Sequence, residues 1–148
     1  MRKVKIVIPG KIPTTTFQSK GITRKTGRIF TRRDALEAYQ HFESYISSAV
    51  RRSVVDHLNP PYTVRISYYY KSPQNVKRIM DDLHCAVFPK TTKPDVDNLG
   101  KMILDILTRT GLIDDDSKVY LYEAQKFYTV EDNEWVAVEV SSDEDIWS

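Results

Sequence analysis

The sequence predicts an α+β fold, one small domain with elements in the order β-α-β-α-β-β, a small mixed sheet and helices packed on it. Three observations predict it. Short β-branched and aromatic runs with alternating apolar character stand near residues 4–8, 63–70, 119–128 and 135–140. Between them, two longer stretches repeat apolar residues at helical spacing. The 148 residues, 41% hydrophobic and 28% charged, suit a single ordinary core over residues 1–148, with no internal repeat or low-complexity linker.

Val4–Ile8 is the first strand, stopped by Pro9 and Gly10. Residues 14–33, rich in Ser, Thr, Gly and basic side chains without an apolar period, read as a long basic loop. Asp34 is placed to cap a helix to about Arg52 with Leu36, Tyr39, Phe42, Ile46 and Val50 on one face. His41 on it lacks a second ligand at metal spacing and reads as a surface or boundary residue. Pro60 and Pro61 precede the strand Thr63–Tyr70, in which two of Tyr68, Tyr69 and Tyr70 should pack inward; stacking on bases is the other use of such residues.

Gln74–Leu83 is a short extra helix inside an insertion over residues 74–92. His84 and Cys85, adjacent and without an orienting partner, do not form a catalytic pair. The clearest helix begins near Asp95–Asn98 and ends near Arg109, with Gly111 as its left-handed terminator. Val119–Tyr128 and Trp135–Val140 read as two strands of a hairpin, and residues 141–148 as an acidic, fraying tail.

The formal net charge of +2 hides an asymmetry. Ten basic residues and no acid occupy the first 33 positions, whereas Glu131–Ser148 holds seven acids and no Lys or Arg. Such a basic arm, including Lys20, Arg24, Lys25, Arg28, Arg32 and Arg33, suggests a polyanionic partner; a solvated surface loop is the alternative. No apolar run is long enough to span a bilayer, and the opening MRKVKIVIPG is too short for a secretory signal. With Cys85 as the single cysteine, neither an intrachain disulfide nor a cysteine-based zinc cluster is available. The expectation is a cytoplasmic protein with no membrane association.

The chemistry concentrates in residues 93–116, KPDVDNLGKMILDILTRTGLIDDD. Leu99, Met102, Ile103, Ile106 and Leu107 form a buried stripe, and Asp97, Lys101 and Asp105 follow at i+4 steps on another face. Taken singly, these acids have structural explanations: Asp95 or Asp97 caps the helix, Lys101 bridges Asp97 and Asp105, and Asp114–Asp116 form a turn. Those explanations leave unexplained why two carboxylates one residue apart start a helix that returns the chain to a second acidic cluster. Carboxylates drawn together repel unless a cation lies between them, and an all-oxygen set suits Mg²⁺ or Mn²⁺ rather than zinc. Such an ion would promote phosphodiester hydrolysis, with Lys101 on the scissile phosphate or its transition state.

The run Pro94, Asp95, Asp97, Asn98, Leu99, Lys101, Asp105, Leu107, Gly111, Asp115, Asp116 and Val119, with Lys126 downstream, resembles the signature of the RusA family of Holliday junction resolvases. The close resemblance covers about 35 residues. It implies that Asp95, Asp97, Lys101 and Asp116 are catalytic, with Asp95, Asp97 and Asp116 holding the metal. Asp114 makes the second cluster three acids long, which leaves Asp115 as an alternative; the two residues between Asp116 and the Val119 strand favour Asp116.

The resemblance further implies a homodimer, Mg²⁺ dependence with Mn²⁺ as a substitute, no organic cofactor, and paired symmetric nicks in four-way junctions during DNA recombination and repair. Prophage carriage is a further implication. Lys93 and Lys126 join the basic arm as candidate DNA-binding residues. The residues 14–33 and 74–92 depart from the shortest members, so junction contacts made there do not transfer.

Overall fold

The computed structural model describes residues 2–14, 25–55 and 57–144, with side chains of the first helix described from Arg33 onward. The elements are β1 (Arg2–Pro9), α1 (Lys25–Arg52), β2 (Tyr62–Lys71), α2 (Gln74–Leu83), β3 (Val87–Pro89), α3 (Asp97–Arg109), a single 3₁₀ turn at Asp116–Lys118, β4 (Val119–Thr129) and β5 (Trp135–Ser142). The five strands form one mixed sheet in the order β1-β5-β2-β4-β3. β2 and β4 are parallel, and the other neighbours are antiparallel.

One face of the sheet carries the core. Val4, Ile6 and Ile8 of β1, Val136, Val138 and Val140 of β5, and Val64, Ile66 and Tyr68 of β2 are buried together with Phe42, Ile46 and Val50 of α1 and the apolar stripe of α3. All five stripe residues, Leu99, Met102, Ile103, Ile106 and Leu107, are buried as their spacing predicts. At about 1.5–3 kcal/mol for each such side chain removed from water, this stripe is what fixes α3 on the sheet. The opposite face bears an alternating ion-pair row of Lys3 and Lys5, Glu139, Arg65 and Glu123. It also bears an aromatic row in which Tyr69 stacks between Trp135 (4.5 Å) and Phe127 (5.5 Å).

Several expectations are corrected. The basic segment of residues 14–33 is not all loop: α1 starts at Lys25, so Asp34 lies inside the helix instead of capping it, and residues 15–24 lie outside those described. Lys and Arg are good helix formers, and a local cap signal did not outweigh them. Leu36 is off the buried face and 45% exposed, because six residues from Phe42 correspond to about 120° of helical rotation; Ala35 and Ala38 take the core positions.

The second correction concerns topology. β4 and β5 do not form a hairpin, since β2 lies between them. The crossing is fastened by Glu134, whose carboxylate accepts the N–H groups of Ile12 (2.9 Å) and Lys71 (3.0 Å), while its carbonyl accepts Gly10 N–H (3.1 Å). β5 is thereby started between the ends of β1 and β2, where Val136, Val138 and Val140 gain neighbours on both sides.

Nor does the tail fray at Ser141. Ser141 and Ser142 end β5 in buried positions, and Asp143 accepts hydrogen bonds from Thr63 (2.8 Å) and Tyr120 (2.5 Å). Those bonds hold its carboxyl below the ordinary carboxylate range. Residues 145–148 lie outside those described. The Tyr68–Tyr70 run behaves as alternation requires, with Tyr68 and Tyr70 buried and Tyr69 on the other face. Residues 74–92 contain α2, ended by His84 in the left-handed region (φ 53°), and the short strand β3.

Candidate active site

α3 presents the acidic motif. Asp95 Oδ1 accepts Asp97 N–H at 3.1 Å, which satisfies one of the first helical donors and places the two carboxylates on either side of buried Val96. Asp97, Lys101 and Asp105 follow along the exposed face. Lys101 has no ion pair among the described residues. Asp105 instead meets Arg109 (3.4 Å) and accepts a hydrogen bond from Tyr39 (3.4 Å), so the proposed Lys101 bridge is not made.

The helix ends through Thr110 and Gly111, the latter at φ 82° as expected. The chain then returns along a fixed path. Leu58 N–H bonds to Leu112 carbonyl (2.8 Å), and buried Tyr62 donates to Leu58 carbonyl (2.9 Å) while accepting Asp114 N–H (3.0 Å). The Asp114 carboxylate lies between His57 (3.5 Å) and Lys118 (3.6 Å). Asp115 Oδ1 accepts Ser117 N–H at 3.1 Å and opens the 3₁₀ turn. That bond lowers the Asp115 pKa, whereas donation of a hydrogen bond to Asp115 is the main reason the Asp116 pKa is raised, with the Asp105 charge adding to it.

Asp105 stands two turns beyond Asp97, about 12 Å along the axis. Asp95 and Asp97 are joined at the start of α3, and Asp115 and Asp116 after its end. Among the described residues no three His, Cys, Asp or Glu side chains gather at metal-holding spacing, so Asp116 is not brought onto the Asp95–Asp97 pair. The donors fit a hard divalent cation in kind, being exposed carboxylates without nitrogen or sulfur ligands.

Behind the motif is a layer that sequence reasoning missed. Tyr122 of β4 lays its hydroxyl over Gly100 so closely that a Cβ there would collide with it, and the buried hydroxyl of Tyr68 lies near the same glycine without a hydrogen-bond partner among the described residues. Burial raises the Tyr122 pKa first, and the Asp97 charge raises it further. The signal was present. A glycine inside an otherwise strong amphipathic helix costs about 1 kcal/mol and marks a close approach.

Lys90, Thr92 and Tyr128 form a second unforeseen cluster. Lys90 Nζ donates to Thr92 Oγ1 (2.7 Å) and Tyr128 Oη (3.1 Å), and lies over the Tyr128 ring. The hydrogen bond with Thr92 and the Lys90 charge lower the Tyr128 pKa. Among the candidate DNA-binding residues, Lys20 and Arg24 lie outside the described residues, Lys25, Arg28 and Arg32 fall on the first turns of α1, and Arg33 and Lys93 are exposed. Lys126 is half-buried, its ammonium on the carbonyls of Thr92 (2.7 Å) and Pro94 (3.1 Å).

No helix among the described residues is long and apolar enough to cross a membrane. No curated protein matches the chain. The family model of the endodeoxyribonuclease RusA matches residues 11–141, nearly the whole chain and all of the acidic motif. The chain therefore belongs to the RusA endodeoxyribonuclease family, enzymes that resolve Holliday junctions.

Proposed function

We propose that this endonuclease is Mg²⁺-dependent, works as a two-fold homodimer on four-way junctions in DNA recombination and repair, and uses Asp95, Asp97, Asp116 and Lys101. The observation that carries the assignment is the repeated acid turn: Asp95 and Asp115 each bind the N–H two residues on, which commits one oxygen of each to the backbone. Asp97 thereby stands in the first turn of α3, where an anion is favoured by the backbone dipoles, and Asp116 opens the 3₁₀ turn.

Asp95 and Asp97 would hold Mg²⁺, with Mn²⁺ as an equivalent hard ion, and Asp116 would have to be drawn to them from beyond the end of α3 to complete the set. When bound, the ion supplies Lewis-acid polarisation of a phosphoryl oxygen, a more acidic attacking water and charge neutralisation at the leaving oxygen. Lys101, exposed and without an ion pair among the described residues, offers a fixed positive charge to the phosphate as negative charge builds. The basic side chains of residues 20–33 supply sequence-independent phosphate contacts.

One chain carries one such set of acids, while resolution needs nicks in two strands of like polarity. A two-fold pair of chains is the simplest arrangement that supplies both.

The deciding experiment incubates the protein with a synthetic four-way junction and with linear duplex, with and without Mg²⁺ or Mn²⁺. The expected outcome is paired symmetric nicks in the junction, only with metal, and an intact duplex. Metal-independent cutting, or equal cutting of both substrates, refutes the reading.

A further inference from the structure

We infer that Lys126 is a positioning residue for the Asp95–Asp97 pair, acting through the loop between β3 and α3, and does not contact DNA phosphate. The inference rests on the reading of Asp95 and Asp97 as metal-holding residues.

Lys126 stands opposite buried Tyr68 in the β2–β4 register, so its side chain leaves the sheet on the same face as Tyr68. Its ammonium donates to two backbone carbonyls, Thr92 at 2.7 Å and Pro94 at 3.1 Å. Two of its three donors are thus committed to the segment that leads into Asp95. That segment cannot be held by a regular ladder, because β3 ends at Pro89 and Pro94 has no N–H to offer.

The same loop is gripped at two further points on β4. Lys90 N–H bonds to the Lys126 carbonyl (3.0 Å), and the Thr92 side chain is held by Lys90 and by Tyr128 Oη at 3.0 Å. Thr92 is fixed through its side chain by one lysine and through its carbonyl by the other. Asp95 follows Pro94 directly and spends Oδ1 on Asp97 N–H, so the path from the Lys126 ammonium to the first carboxylate is a single residue long.

Lys101 is the contrasting case. Exposed, with no ion pair among the described residues, it has the free ammonium that a phosphate-binding lysine needs, and Lys126 does not.

The test is Lys126→Met, which keeps the stem and removes the donors. Three quantities are measured: Mn²⁺ affinity of the DNA-free protein by calorimetry, junction affinity across a salt series without metal, and cleavage rate. Loss of an outer partner of metal-holding groups typically weakens metal affinity or activity about 10–100-fold. The expected result is a loss of that size in both Mn²⁺ affinity and cleavage, with the salt dependence of junction binding unchanged.

A salt slope reduced by about 0.9 with native Mn²⁺ affinity would identify a phosphate contact and overturn the inference. Native cleavage would overturn it too. If Lys126→Met does not fold, Lys126→Gln, which keeps one donor but no charge, is read by the same criteria.

Asp95→Asn and Asp97→Asn are measured in parallel. If they bind Mn²⁺ as the native protein does, the site assignment itself fails. If they lose Mn²⁺ while the Lys126 variants keep it, only the role of Lys126 fails.

Discussion

At Asp95–Asp97 and at Asp115–Ser117 the chain makes the same turn twice, each time with the first aspartate's Oδ1 accepting the N–H two residues on at 3.1 Å. The residue donating that N–H differs. In the first turn it is Asp97, so the two acids are separated by one buried residue, Val96. In the second it is Ser117, so Asp116 is left between, next to the Asp115 carboxyl that raises its pKa. One position of sequence spacing thus decides whether the second acid supplies the N–H of the turn or stands inside it beside the first. Of the two places, only the turn before β4 sets one carboxyl against its neighbour, which raises the Asp116 pKa.

The largest effect should therefore come from the first turn. Asp95→Asn and Asp97→Asn are expected to lower junction cleavage by about 10³-fold or more, equivalent to roughly 4 kcal/mol of transition-state stabilisation, with junction affinity retained or increased. Asp116→Asn should act in the same direction by about 10²-fold. Cleavage rates and gel-shift affinities for the three variants check the comparison directly. Native cutting by Asp97→Asn would remove the first turn from the site, and native cutting by Asp116→Asn would leave the second as a structural cap alone.

Lys101 sharpens the same contrast, because it lies on the helical face that joins the two turns. Lys101→Ala should lose about 10²-fold in cleavage, the size seen when one preorganised donor to a developing anion is removed. Its thermal midpoint should stay native, since an exposed side chain without an ion pair among the described residues contributes within about 0.5 kcal/mol. A large fall in thermal midpoint would reassign Lys101 to holding the helix.

How much of this was legible depended on whether the signal was local. The α3 stripe, the left-handed Gly111 and the inward turn of Tyr68 and Tyr70 were all readable, because each follows from a period or a dihedral preference within a few residues. The placement of β5 was not. Residues 130–134 have hairpin length, yet Glu134 ties the start of β5 to Ile12 and Lys71, partners more than 60 positions away. The candidate site divides in the same way. Asp95, Asp97, Lys101 and Asp116 could be named from a resemblance, whereas Tyr122 over Gly100 and the Lys90–Thr92–Tyr128 cluster arise from chain segments that meet only in the fold. Lys126 was named, but its direction came from the β2–β4 register.

The smallest expected effect tests the interaction between Asp115 and Asp116 in the second turn. A hydrogen bond to the Asp115 carboxylate, available only to the protonated form, is the largest cause raising the Asp116 pKa from its ordinary value, while the Ser117 N–H lowers that of Asp115. The two shifts have opposite consequences for stability. The Asp115 contribution is present above its unfolded pKa and is lost as pH falls through the lowered folded value. That of Asp116 is present below its unfolded pKa and is lost as pH rises through the raised one. Because they oppose each other, the pH dependence of unfolding is a poor readout, and the individual carboxyl titrations in metal-free protein are a good one. In Asp115→Asn the side chain can still accept Ser117 N–H through its carbonyl, and its amide can donate to Asp116 in place of accepting from it. The Asp116 titration, followed by carboxyl-carbon NMR, should then move to lower pH, and the acid limb of the cleavage profile should move with it. An Asp116 midpoint that stays raised in this variant would show that Asp115 is not where its proton is bound.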